Sequence, residues 1–151
     1  MDWMLMPLRR YAEFSGRSRR KEYWMYVLFL AIVGVIIGIV EKVLELSDAF
    51  AGNGPITTIF SLVTLIPSIA VGVRRLHDTD RSGWWVLLPA PGYIVMIAGA
   101  VSMNLSYMFM GGALVGICGL VLLVFFVLDG TKGMNRFGDD PKEVNHSEVF
   151  A

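Results

Sequence analysis

The chain has 151 residues, 55% of them hydrophobic and only 17% charged, with a formal net charge of zero. At a mean hydropathy of +0.59 it is too apolar for an ordinary soluble domain, and lipid is the solvent its composition fits. The balanced charge offers nothing to a nucleic acid, and the single cysteine, Cys118, excludes an intrachain disulfide.

The first segment, MDWMLMPLRRYAEFSG, is amphipathic from about Pro7. Met4, Leu8, Tyr11 and Phe14 project to one side, Arg9, Arg10 and Glu13 to the other. Pro7 predicts a short helix that begins near it, since proline fits only the first turn. Such a helix lies in the headgroup layer, with Trp3 and Tyr11 as anchors, or packs on the bundle as an ordered arm. No cleavable signal peptide is expected, because the first long apolar run follows GRSRRKEYW and exceeds a signal core.

Four apolar runs follow: Tyr23 to Val40, Pro55 to Val73, Trp84 to Met103 and Gly112 to Leu128. Each is about 17 to 20 residues, enough for a hydrocarbon layer of about 30 Å as a helix. Backbone groups in lipid must pair within the segment, so the prediction is an all-α membrane protein with four transmembrane helices and a short interfacial helix. The expected parts are an interfacial segment over 1–22, a membrane domain over 23–128 and a C-terminal motif and tail over 129–151.

Charge sets the direction. All but one of the 13 Lys and Arg fall before the first run, between the second and third, or after the fourth. The connections SDAFAGNG and NLSYMFMGG carry none. The positive-inside rule then puts both termini and the central loop in the cytoplasm. Glu41, Lys42 and Glu45 read as the solvated outer end of the first span.

Within the spans, Thr57, Ser61, Thr64, Ser68 and Gly72 form a stripe of small residues. Gly34 and Gly38, and Gly112, Gly116 and Gly119, recur at similar spacing. Close helix packing is the expected use, and a polar path is the alternative. Pro67, Pro89 and Pro91 are expected to kink their helices.

The densest charge is RRLHDTDRSGWW, residues 74–85. Ser82 is placed to cap the third span, Trp84 and Trp85 to sit at the interface, and Arg74 and Asp78 to pair four residues apart. Arg75 and Arg81, with the free amides of the third span, would seat a phosphate such as a lipid head group. The competing reading is an internal salt-bridge cluster. In DGTKGMNRFGDDP, glycines permit turns, Asn135 can bond its own backbone, and Asp129, Asp139 or Asp140 can reach the arginines. One loop histidine beside one aspartate is too few ligands for a metal, and no phosphate loop, serine elbow or histidine pair occurs. No cofactor or metal is expected.

FSGRSRRKEYW, RRLHDTDRSGWW and DGTKGMNRFGDDP, in that order between apolar spans, resemble the bacterial inner-membrane family called domain of unknown function 805. The matching positions are Phe14, Gly16, Arg17, Arg20, Glu22 and Trp24, then Arg74 to Asp78 and Ser82 to Trp84. In the third motif they are Gly130, Gly133, Asn135 to Gly138, Asp140 and Pro141. Asp80 departs from the pattern, standing where the family commonly has glycine. The resemblance implies a small multi-pass protein of the bacterial inner membrane and brings no reaction.

The candidate cluster, for anionic head groups or for structure, is therefore Arg17, Arg20, Arg74, Arg75, His77, Asp78, Arg81, Ser82, Asn135, Arg136 and Asp140. The expected function is that of a noncatalytic accessory or scaffold protein whose partners are membrane lipids, anionic ones included, and a second protein or further copies of itself. The alternatives are a small transporter or channel-like oligomer, and an enzyme using His77, Asp78 and an arginine on a phosphorylated lipid.

Overall fold

A computed structural model of the protein describes residues 2–46 and 54–142. Most of the connection SDAFAGNG and the tail EVNHSEVFA, with His146, lie outside the described residues. The described chain forms five α-helices: α1 (Asp2–Arg9), α2 (Arg20–Val43), α3 (Pro55–Asp78), α4 (Ala90–Val101) and α5 (Leu105–Val127). A short 3₁₀ turn, Gly83–Leu87, leads into α4. Four segments are long and apolar enough to cross a membrane: α2, α3, the stretch Gly83–Val101 and α5. The all-α, four-span architecture is the one the hydropathy pattern predicts.

The helix ends differ from the apolar runs in ways that matter. α2 begins at Arg20, and α3 continues past Val73 to Asp78, so RRLHD is carried on a helix. The third span is not one helix. Ser82 Oγ accepts from Trp84 N at 3.5 Å, as its capping role requires, and the chain turns through the 3₁₀ segment. Pro89 then stands at the N-cap of α4 and Pro91 in its first turn, where a missing N–H costs nothing. These two prolines start a helix instead of kinking one, and α3 runs on through its buried Pro67.

α1 also departs from expectation. It spans Asp2–Arg9, with Pro7 near its C-terminal end. The helix stops two residues later, so proline removes only one backbone bond there. α1 is folded against α2 and α3, burying Pro7, and beyond it the Tyr11 hydroxyl donates to Val63 O at 2.6 Å.

Two glycine sets separate in the structure. α4 and α5 pair closely because a Cβ on Gly111 would meet Met96 N at 2.5 Å and Gly92 O at 2.7 Å, and one on Gly99 would meet Met108 N at 2.6 Å. Gly34, Gly38, Gly112, Gly116 and Gly119 would meet nothing within 4 Å. The intervals visible in the sequence thus do not mark the intrachain contact. Gly111→Leu should cost about 1–3 kcal/mol through overpacking, whereas Gly116→Leu should leave the melting temperature of the detergent-solubilised protein unchanged. Equal losses from both would contradict the assigned α4–α5 interface.

Two hydroxyls of the α3 stripe, Thr64 and Ser68, bond back on the helix itself. Thr64 Oγ1 donates to Phe60 O at 2.7 Å and Ser68 Oγ to Thr64 O at 2.6 Å, each one turn back. Glu41 is not solvated: it is 3% exposed. Its carboxylate accepts from Thr57 N at 2.8 Å and Thr57 Oγ1 at 2.6 Å. α3 has no acid in its own first turn and no side-chain cap, so α2 supplies both across the hairpin. A side chain at Gly54 would occupy the place of that carboxylate.

Candidate functional site

The apolar faces of the spans are largely exposed, as lipid-facing surfaces must be, while most of the buried charge gathers at one end. There the start of α2, the end of α3 and the segment after α5 meet. Asp78 is the centre. Its Oδ1 receives Arg17 Nε at 3.1 Å and Arg17 Nη2 at 3.0 Å, and its Oδ2 receives Arg75 Nη1. All three side chains are nearly inaccessible to solvent.

One carboxylate cannot neutralise two guanidiniums, and backbone carbonyls take the excess. Arg17 Nη1 donates to Gly133 O at 2.6 Å, and Arg17 Nη2 to Thr131 O at 2.5 Å. Arg75 Nε donates to Phe126 O at 3.2 Å and its Nη2 to Leu128 O. Arg20 Nη1 reaches Val127 O at 3.0 Å, while its Nη2 pairs with Asp129 at 2.5 Å. α5 ends without a basic residue in its own last turn. Its unpaired, partially negative carbonyls are capped by arginines from α2 and α3 instead.

The third motif closes over this hub. Thr131 N donates to Asp78 O at 2.8 Å, and Asn135 Nδ2 donates to His77 O at 3.0 Å. Asn135 Oδ1 accepts from Phe137 N at 2.9 Å, the local turn its residue type suggests. Gly133 and Gly138 have φ of +73° and +132°, conformations closed to most side chains. A Cβ at Gly130 would fall on the Asp78 carboxylate, so that glycine is required by proximity. Asp140 accepts from Lys142 N at 2.8 Å and Gly133 N at 3.1 Å, and these donors hold its carboxyl below the ordinary aspartate range.

His77 joins the first and third motifs. Its Nδ1 donates to Gly16 O at 3.1 Å, since a carbonyl only accepts, and its ring stacks on Phe137 with centroids 3.9 Å apart and planes 4° from parallel. Arg136 binds Asp80 Oδ1 at 3.1 Å and Asp80 O at 2.7 Å. Asp80 has φ +56°, a left-handed position that explains why glycine suits it and why aspartate is tolerated. Arg81 lies over the Phe125 ring at 4.1 Å and donates to Thr79 O at 3.1 Å.

Arg74 does not pair with Asp78, as its spacing suggests. The turn of α3 aims it toward α2, where Nη2 lies 3.4 Å from Glu22 Oε1 and Nη1 is 3.9 Å from Glu13 Oε2. The latter distance is an ion pair without a hydrogen bond. Arg74 Nε and Nη1 and the nearby Ser18 Oγ have no hydrogen-bond partner among the described residues, although all are buried.

Every residue of the predicted cluster therefore lies at this end. Arg17, Arg75, His77, Asp78 and Asn135 form one bonded unit. Arg20, Arg136 and Asp140 brace its edge, Arg74 faces α2, and Arg81 and Ser82 lie toward the third span. Glu22, Thr131, Phe137 and Asp129 are the participants that sequence reasoning left out of the cluster. Glu22 stood in the first motif, directly before the first apolar run, and that position was the available signal.

Four membrane-crossing segments, joined at one end by a buried, hydrogen-bonded arginine–aspartate cluster, define a small helical membrane protein. The chain belongs to the DUF805 family, described as "Protein of unknown function (DUF805)", whose model matches residues 11–139. It is 42% identical to the inner membrane protein YhaI of Escherichia coli (strain K12), over 94% of this chain and 97% of that protein. It is 40% identical to the inner membrane protein YhaH of the same strain, over 94% and 98%. An uncharacterized protein YiiR of that strain is 29% identical over 88% of each chain. No solved structure matches.

Proposed function

We propose that this chain is a noncatalytic accessory or scaffold protein of a bacterial inner membrane, with both termini and the charged end in the cytoplasm. The residues before α2 and after α5 act as cytoplasmic segments clasped to the membrane domain. The observation that supports this is the commitment of the motif arginines. Arg17, Arg20, Arg75 and Arg136 each bind an acid and a carbonyl within the chain, leaving no free fork for a substrate phosphate. Arg75, expected to help seat a phosphate, is fully buried.

What faces outward is a second set of cations. Arg19 and Lys21 both stand 5.6 Å from the Trp3 ring, and Lys132 is exposed. With Trp3 on α1 they make an interfacial patch suited to anionic head groups of the cytoplasmic leaflet. The back-bonded hydroxyls of Thr64 and Ser68, and the lack of a charged residue at mid-depth in the described spans, weigh against the transporter reading.

The test uses nanodiscs containing phosphatidylethanolamine and phosphatidylglycerol. Arg19→Glu with Lys21→Glu should lower the phosphatidylglycerol co-isolated with the protein several-fold, at an unchanged melting temperature. No enrichment of phosphatidylglycerol around the unsubstituted chain would refute the lipid contact. Labelling a cysteine introduced at exposed Asp80 from the side opposite either terminus would refute the orientation.

A further inference from the structure

A groove of about 460 Å³ runs beside the clasp, between α3 and the 3₁₀ turn. Its walls are Phe14, Ile69, Val73, Val86, Leu87 and Trp84. That volume is within the range of sites for small organic ligands. Ile69 and His77 are eight residues apart on α3, so the groove extends about 12 Å along the helix axis. It is apolar at the Ile69 end, deeper in the span, and polar at the end beside the charged cluster.

Two polar groups mark that end, His77 and Ser82. The His77 proton is on Nδ1, held by Gly16 O, and the ring is fixed by Phe137. Nε2, on the opposite edge, is then a hydrogen-bond acceptor. It lies 3.3 Å from the position a Gly83 Cβ would take, and no described side chain or backbone group donates to it. Ser82 Oγ accepts from Trp84 N, which leaves its hydroxyl hydrogen as a donor. The rim thus presents one acceptor and one donor above an apolar slot that runs along the axis of α3.

We propose that this groove binds a single-chain glycerophospholipid, a lysophospholipid, with its acyl chain along Ile69 and Val73. The free glycerol hydroxyl donates to His77 Nε2, and an oxygen of the neighbouring ester accepts from Ser82. A diacyl phospholipid is a poorer match at the same depth. Both of its chain-bearing glycerol oxygens are esterified, so at the depth of the glycerol it brings acceptors alone against the Nε2 acceptor, and the head-group ammonium is common to both lipids. One slot also houses one chain. Neither argument uses the Arg19–Lys21 patch, so this site stands or falls apart from the anionic-lipid reading.

The full chain in dodecyl maltoside is titrated with three probes: 1-oleoyl-lysophosphatidylethanolamine, its 2-deoxy analogue and dioleoylphosphatidylethanolamine. Retention is read by native mass spectrometry and binding by the shift in melting temperature. The lysolipid should bind one per chain, with the deoxy and diacyl probes each at least about tenfold weaker, the order expected for one unmatched buried acceptor. Ile69→Trp, which fills the apolar end without touching the charged cluster, should abolish retention of the lysolipid. Arg19→Glu with Lys21→Glu should leave it intact. Equal binding of the deoxy or diacyl probe overturns the proposal, as does a folded Ile69→Trp protein that still retains the lysolipid. If that variant does not fold, the probe comparison on the unsubstituted chain decides alone.

Discussion

Asp78→Ala is expected to lower the melting temperature of the detergent-solubilised protein by about 10 °C or more, the largest effect of any single substitution at the charged end. Removing this carboxylate leaves Arg17 and Arg75 facing each other, both almost fully buried, with only carbonyls to receive them. Breaking a buried ion pair from one side costs about 3–5 kcal/mol, because the stranded charge keeps its desolvation penalty. Here two charges are stranded together. For a chain of this length about 1 kcal/mol moves the midpoint by roughly 2–4 °C.

Asp78→Asn separates charge from shape. The amide fills the same volume, yet its NH₂ group turns a donor toward one guanidinium, so most of the loss should persist. Removal of the exposed pair Arg136–Asp80 by Asp80→Ala should cost under about 1 kcal/mol, since solvent screens it. Differential scanning fluorimetry on the four proteins provides the ranking. An Asp78→Ala protein that melts within two or three degrees of the parent would falsify the central role assigned to this carboxylate.

The spans were legible because lipid imposes a simple rule: about 18 to 20 apolar residues per crossing and all backbone bonds internal. The charged end was legible as a place, since the basic segments alternate with spans. Its pairings were not. Arg17 and Asp78 are 61 residues apart, and only the fold brings them together. The Arg74–Asp78 reading was a local one, and it failed because Asp78 chose Arg75, three residues away on the same helix, together with Arg17.

The same limit explains Glu41 and the glycines. A charged helix end beside a polar loop looks solvated until the next helix arrives and offers its unpaired N–H groups. Glycine spacing shows that a close approach is possible on one face without saying that a helix occupies it. Gly111 adjoins Gly112, and only the former meets α4. The difference is about 100° of helix rotation, fixed by packing and unreadable from the interval.

The second large effect concerns Arg74 and Glu22. Both are buried, and their one hydrogen bond is long at 3.4 Å, with Arg74 Nε and Nη1 unsatisfied. Arg74→Met removes a poorly served cation and strands Glu22 in an apolar setting, so a loss of about 3 kcal/mol or more is expected. Arg74→Met with Glu22→Gln removes both charges, and the unsatisfied donors go with them. Exchanging a complete buried pair for neutral side chains of similar volume is often neutral, so the double variant should recover most of the stability lost by the single one. In a double-mutant cycle the coupling should come out favourable by about 1–3 kcal/mol. Simple addition of the two single losses would mean that Arg74 is held by something other than Glu22, with the Glu13 carboxylate at 3.9 Å the next group to remove.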